Sequence, residues 1–272
     1  MRVRKVFAVL GSLLALAAAV PSGAGASGAS GNGKDAEKHG PKKPTVVLVH
    51  GAFADASSWN GVVDRLQHKG FPVVAVANPL RSVGGDAEYL RRVLASIDGP
   101  VVLAGHSYGG MVQSEAALGN PDVKALVYVA AFAPEQGESA LDLSNKFPGS
   151  TLGDTLSVIE LGDGSKDLVI RQDKYWQQFA ADVPRKDAVI AAATQRPVND
   201  TALSDKAGEP AWRSIPSYFM VASQDKNIPI AAQKWMAERA GARAVVEVKS
   251  ASHSVAVSHP EAVADLIVRA AR

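Results

Sequence analysis

Ser107 has neighbours that suit chemistry. It stands in Gly105-His106-Ser107-Tyr108-Gly109-Gly110, after the apolar run Val101–Ala104 and before the apolar, helix-like run Met111–Leu118. A strand that turns sharply into a helix lifts a hydroxyl clear of the sheet, and so strained a turn admits only small residues two before and two after the serine. A glycine-rich turn with an ordinary serine is the plainer reading of the same residues.

A serine hydroxyl attacks poorly unless a base takes its proton and a carboxylate orients that base. The chain has six histidines. His39 lies in a polar lead-in, and His68 sits beside Lys69 on a polar helix face. The side chain of His106 leaves the bend on the side away from Ser107, and His50, in Leu-Val-His-Gly-Ala-Phe, suits support of a turn. His259, before Pro260, suits the start of the last helix. His253 follows the last valine-rich run in Lys-Ser-Ala-Ser-His-Ser and is the candidate base. Asp225, in Ser-Gln-Asp-Lys-Asn-Ile-Pro after another such run, is the candidate acid, a turn aspartate suited to a helix start being the plainer alternative. Glu135 is the reserve acid. Serine, acid and histidine then follow one another in the chain order usual for such a bend.

Charge developing on a carbonyl oxygen needs two preorganised donors, which backbone amides supply. The amide of Tyr108 is one candidate and that of Ala52, in His50-Gly51-Ala52-Phe53, is the other. Phe53 is expected to shape the pocket beside them, and the Tyr108 ring to border its acyl side. Among the larger aromatics, Trp59, Trp176, Phe179, Trp212 and Trp235 could line a pocket or simply fill the core. Trp176 is the pocket candidate, and Trp235 reads as part of an amphipathic outer helix.

These residues need a scaffold that brings loops from one sheet edge together. Valine-rich runs at 45–49, 72–77, 101–105, 125–130, 216–222 and 244–249 lack polar alternation, as strands buried on both faces of a parallel sheet do. Helical patterns fall between them at about 58–69, 85–97, 109–118, 230–240 and 260–270. The alternation predicts an α/β fold, a mostly parallel sheet of about six strands with helices on both faces. In such sheets function collects at the carboxyl ends of the strands. Residues 134–214 break the rhythm and are expected to form an inserted, mainly helical cap, the alternative being longer ordinary crossovers.

Arg2, Arg4 and Lys5, the apolar stretch Val6–Val20 and the small residues at 23–27 read as a secretory leader, residues 1–26, with a buried first helix as the alternative. A flexible segment over 27–44 would then precede an ordered domain over 45–272. The 29 basic and 27 acidic residues give a formal charge of +2, and loss of a leader with three cations and no anion leaves −1. No basic block remains to favour nucleic acid, and no apolar stretch is long enough for a confident membrane span. The absence of cysteine excludes disulfides and thiolate chemistry. No metal-ligand spacing or dinucleotide fingerprint is present, so neither metal nor cofactor is expected. A secreted monomer acting on a small molecule is the expectation, with a dimer as the alternative.

Four segments, Val46–Leu66, Val101–Val112, Ser223–Gly241 and Ser250–Ile267, together resemble the α/β-hydrolase superfamily, in its compact branch of plant methylesterases, hydroxynitrile lyases and bacterial esterase-like proteins. The resemblance implies a triad of Ser107, His253 and Asp225, oxyanion amides at Ala52 and Tyr108, and hydrolysis of small or medium carboxylic esters through an acyl-enzyme. The chain departs from the lyases of that branch, which place a threonine after the first-strand histidine and a lysine after the catalytic one, where this sequence has Gly51 and Ser254. Aspartate-nucleophile relatives differ at Ser107 itself. Other triad reactions (lactone, thioester or amide hydrolysis, lyase or haloperoxidase-like chemistry) and noncatalytic binding of a small molecule are the alternatives.

Overall fold

A computed structural model describes residues 43–272. The expected leader and nearly all of the expected flexible segment lie outside the described residues. The first part of the fold runs β1 (Thr45–Val49), α1 (Asn60–His68), β2 (Val73–Val76), α2 (Val83–Ala95), β3 (Val101–His106), α3 (Gly109–Ala116) and β4 (Val123–Val129). After β4 come α4 (Ala140–Asn145), β5 (Leu156–Glu160), β6 (Lys166–Ile170), α5 (Gln172–Phe179), α6 (Arg185–Thr194), β7 (Val198–Asn199) and α7 (Asp200–Ser204). The chain then rejoins the main sheet through β8 (Ser217–Ala222), α8 (Ile230–Arg239), β9 (Ala244–Val248), α9 (Val255–Ser258) and α10 (Pro260–Ala270).

The main sheet has six strands in the order β2-β1-β3-β4-β8-β9, each pair parallel. Its valine-rich runs have a direct physical cause. In β1, Val47 and Val49 enter one apolar layer while Val46 and Leu48 enter the other, and in β3 Leu103 and Ala104 divide the same way. Both faces are therefore dry, and alternation with polar residues would bury unpaired groups. One layer packs against α2, α3, α8 and the helices after β4, the other against α1, α9 and α10. The run at 244–249 departs from the expectation. As the edge strand β9 it leaves Val245 and Glu247 exposed.

The insertion between β4 and β8 is less helical than expected. Besides α4 to α7 it holds a second, antiparallel sheet in the order β5-β6-β7. The hairpin β5-β6 turns at Gly162 and Gly164, with φ of 82° and 92°, so glycine relieves a left-handed backbone there. Two apolar, β-branched runs flanking Gly-Asp-Gly carried that signal in the sequence.

Candidate functional site

The site sits where β3, β8 and β9 end. Ser107 follows β3 directly and has φ 52°, in the left-handed region that a residue with a Cβ seldom occupies. The backbone holds it there. The Ser107 carbonyl accepts from the amides of Gly110 (2.9 Å) and Phe132 (3.2 Å), and its own amide donates to Val129 (3.4 Å). The surrounding glycines are required by contact. A Cβ on Gly105 would lie 2.7 Å from the Gly109 carbonyl, one on Gly109 2.4 Å from the Val49 oxygen, and one on Gly110 2.1 Å from the Phe132 oxygen. Ser217, another buried serine, begins β8 at the opposite edge of the sheet and so stands away from this loop cluster.

Asp225 and His253 are both buried and meet directly. His253 Nδ1 lies 2.6 Å from Asp225 Oδ2. The carboxylate is fixed by three further donors. Its Oδ1 accepts from the amides of Asn227 (2.8 Å) and Ile228 (3.0 Å), and its Oδ2 accepts from Gln233 Nε2 (2.9 Å). Asp225 thus ties the turn that leads to α8 rather than capping the helix, which begins at Ile230 after Pro229, and the same carboxylate serves the imidazole. Holding Nδ1 as the donor leaves Nε2 free to take a proton.

Gln233 is a site residue that the sequence reading missed. It also donates to the Ile228 carbonyl (2.7 Å) and accepts from the Ala222 amide (3.1 Å), which locks its orientation. Its signal was a lone amide on the buried face of α8, among Ala232, Met236 and Ala237.

Neither the Ala52 amide nor the Tyr108 amide donates to a protein acceptor among the described residues. Both follow the ends of adjacent strands, β1 and β3, so two unengaged donors flank the Ser107 loop. The Tyr108 ring corrects the expectation that it borders a pocket. It is fully buried, its hydroxyl donates to Asp86 Oδ2 (2.9 Å), and burial together with that carboxylate raises its pKa. Burial also raises the pKa of Asp86, whose carboxylate caps the amide of Arg81 (3.2 Å).

The other histidines divide as their surroundings dictate. His50 is structural, since its Nδ1 donates to the Gly51 carbonyl (2.9 Å) and its Nε2 accepts from the Asn78 amide (3.0 Å). Burial lowers its pKa. His106, expected on the side of the bend away from Ser107, packs against the candidate base. Its Nε2 donates to the His253 carbonyl (2.9 Å), its ring lies 4.7 Å from the His253 ring, and burial followed by repulsion from His253 lowers its pKa to about 3. A neutral His106 therefore carries the loop that carries His253. His259 forms the start of α10 and faces Asp182 at 3.5 Å. The reserve acid Glu135 is engaged elsewhere, by Arg213 at 2.8 Å.

Helix α5 ties the insertion to the site. The Phe179 carbonyl accepts from both the amide (3.0 Å) and the hydroxyl (2.9 Å) of Ser254, and Ser252 donates to Asp182. Tyr175 donates from its hydroxyl to the Phe53 carbonyl (2.9 Å), next to Ala52. The Phe179 ring meets the His253 ring edge-on at 4.9 Å. Beside it lies a cavity of about 180 Å³ whose walls include His106, Tyr175, Phe179, Ala188, Ala191 and Ser254. Trp176 and Phe53, the expected pocket residues, do not line it. The Trp176 indole donates to the Val183 carbonyl (3.1 Å) under Arg185, and Phe53 packs edge-on against Phe179 at 6.4 Å. Trp59 and Trp212 are buried in the core, and Trp235 packs on the outside under Arg239.

The model of the alpha/beta hydrolase family matches residues 46–266, nearly all of the described chain. The chain belongs to the alpha/beta hydrolase family. This hydrolase is 27% identical over 249 residues to methylesterase 9 of Arabidopsis thaliana, covering 83% of the present chain and 97% of the relative. It is 26% identical over 247 residues to the alpha-hydroxynitrile lyase of the same plant, covering 82% and 95%. Among solved structures it superposes on that of polyneuridine aldehyde esterase with a TM-score of 0.72 at 26% identity, covering 84% of the hydrolase and 99% of the other chain.

Proposed function

We propose that this hydrolase cleaves carboxylic esters of small or medium size through a Ser107-His253-Asp225 triad and an acyl-enzyme. The observation that carries the reading is the buried His253–Asp225 pair at 2.6 Å on the same sheet edge as the strained Ser107 turn. His253 takes the proton of Ser107 as the hydroxyl attacks the ester carbonyl. The Ala52 and Tyr108 amides receive the oxyanion, each such donor contributing about 3 kcal/mol to the transition state. His253 then returns the proton to the leaving alcohol, and a water activated at the same nitrogen releases the acid. The named esterases among the relatives support ester cleavage over the other reactions of this fold.

Two positions favour hydrolysis over cyanohydrin cleavage. Any Cβ at Gly51 would lie 2.6 Å from the Ser107 Cβ, so a threonine there has no room. Ser254, where the lyases place lysine, spends its hydroxyl on the Phe179 carbonyl. A panel of ester, thioester, amide, lactone and cyanohydrin substrates tests the reading, with the ester giving the highest kcat/KM. Preference for the cyanohydrin, or saturable binding without turnover of any substrate, overturns it.

On the sequence pattern alone, residues 1–26 are proposed to direct export, leaving a monomer that begins near Ser27. N-terminal sequencing of protein from the culture medium checks the cleavage, and a cell-retained product that keeps Met1 contradicts it.

A further inference from the structure

The 180 Å³ cavity is not accounted for by the triad, since neither Ser107 nor His253 lines it. Its position relative to them is nonetheless specific. Three of its walls are groups that touch the catalytic histidine or continue its chain: His106, which donates to the His253 carbonyl, Phe179, whose ring meets the His253 ring edge-on, and Ser254, the next residue. Ala188 and Ala191 of α6 also line it. The lining is mostly apolar, and Asp55, Ser57, Ser58, Asp187, Thr194 and Gln195 add polar groups to it.

The chemistry of a serine-histidine pair fixes which half of an ester points this way. The acyl carbon bonds to Ser107, its oxygen turns toward the Ala52 and Tyr108 amides, and the alcohol oxygen must lie near the histidine that protonates it. The leaving group is thus the half that extends along the His253 side. We propose that the cavity is the chamber for the leaving alcohol and that the Phe179 ring is the partition between it and the triad, turning aside when substrate binds. The inference rests on the ester-hydrolase reading.

Size and polarity define the alcohol. A cavity of about 150 Å³ holds a benzene molecule, and at about 180 Å³ this one has room for a benzyl or hexyl group. Its mostly apolar walls and the carboxylates of Asp55 and Asp187 favour a neutral alcohol over one that carries a carboxylate.

The test is a series of acetates (methyl, butyl, hexyl, benzyl, dodecyl) beside methyl hexanoate, assayed on wild type, Ala188→Phe and Ala191→Leu. Wild type is expected to prefer hexyl and benzyl acetate over the methyl and dodecyl esters. Filling the cavity should lower kcat/KM for hexyl and benzyl acetate by about tenfold or more, while methyl acetate and methyl hexanoate stay within about twofold. Ala191 is only half buried, so its variant keeps the test available should Ala188→Phe fold poorly. Loss confined to methyl hexanoate would assign the cavity to the acyl half and overturn the proposal. Equal effects on every ester, or a wild type that accepts methyl but not hexyl or benzyl acetate, would overturn it while leaving the hydrolase reading intact. Failure of that reading has its own signature, no turnover of any ester and no reaction of Ser107 with a small phosphonate.

Discussion

Replacing Asp225 by asparagine removes a charge and one acceptor site while preserving the shape. Asp225 Oδ1 serves the amides of Asn227 and Ile228, and Oδ2 serves Gln233 and His253. An asparagine must keep its oxygen toward the two backbone amides, which cannot move, so its NH2 replaces Oδ2 and faces two donors. His253 escapes by giving up the Nδ1 proton and carrying it on Nε2, the atom that must take the proton of Ser107. Gln233 cannot flip, because the Ala222 amide and the Ile228 carbonyl hold its two ends. The wrong tautomer is expected to lower kcat by about 10⁴, equivalent to about 5 kcal/mol of transition-state stabilisation. The unrelieved contact at Gln233 is expected to cost about 1–3 kcal/mol of stability. Steady-state hydrolysis of p-nitrophenyl acetate measures the first, and urea unfolding the second. Glu135→Gln, whose carboxylate pairs with Arg213, should keep activity within about twofold. A folded Asp225→Asn enzyme with more than a tenth of wild-type kcat would refute the assignment of the acid.

Gly110→Ala would drive a Cβ to 2.1 Å from the Phe132 carbonyl, forcing backbone at the elbow to shift, with an expected loss of about 1–3 kcal/mol read as a lower urea midpoint. Unchanged stability would show that the bend is looser than described. Acid should destabilise the protein through His106. Its folded pKa of about 3 lies below the ordinary 6.5, so unfolded chains bind a proton that the folded protein refuses. The stability contributed by the neutral ring is complete above pH 6.5 and is lost as pH falls toward 3, by about 1.4 kcal/mol per pH unit. His50, lowered by burial, acts in the same direction. Urea unfolding between pH 7.5 and 4.5 should show this slope, and His106→Gln should flatten it; equal slopes in both proteins would contradict the linkage.

The main sheet was legible because its interior strands are covered by neighbours and by layers on both faces, which forces long apolar runs such as Val46–Val49. The meeting of Asp225 with His253 and the strained turn at Ser107 were legible because loops at strand ends carried a hydroxyl, an acid and a base in one order. What escaped depended on contacts distant in sequence. The Gln233 side chain matters only because α8 begins where Asp225 turns, and Tyr108 is held by Asp86 across 22 residues. Large aromatics were the least informative. Whether Trp176 or Phe179 faces a cavity is decided by how α5 is rotated, and the Phe179 carbonyl bonds to Ser254 set that rotation from 75 residues away. The hairpin β5-β6 was missed because the helix-like polar stretches that follow it, at 173–182 and 185–194, dominated the reading of the insertion.

The proposed chemistry requires Ser107 to be the nucleophile served by His253. Incubation with a small fluorophosphonate, followed by peptide mass spectrometry, tests it most directly. One adduct per chain is expected, on the peptide that contains Ser107, with activity lost in proportion and with neither adduct nor turnover in a folded Ser107→Ala variant. An adduct on another residue, or full turnover by Ser107→Ala, would contradict the account.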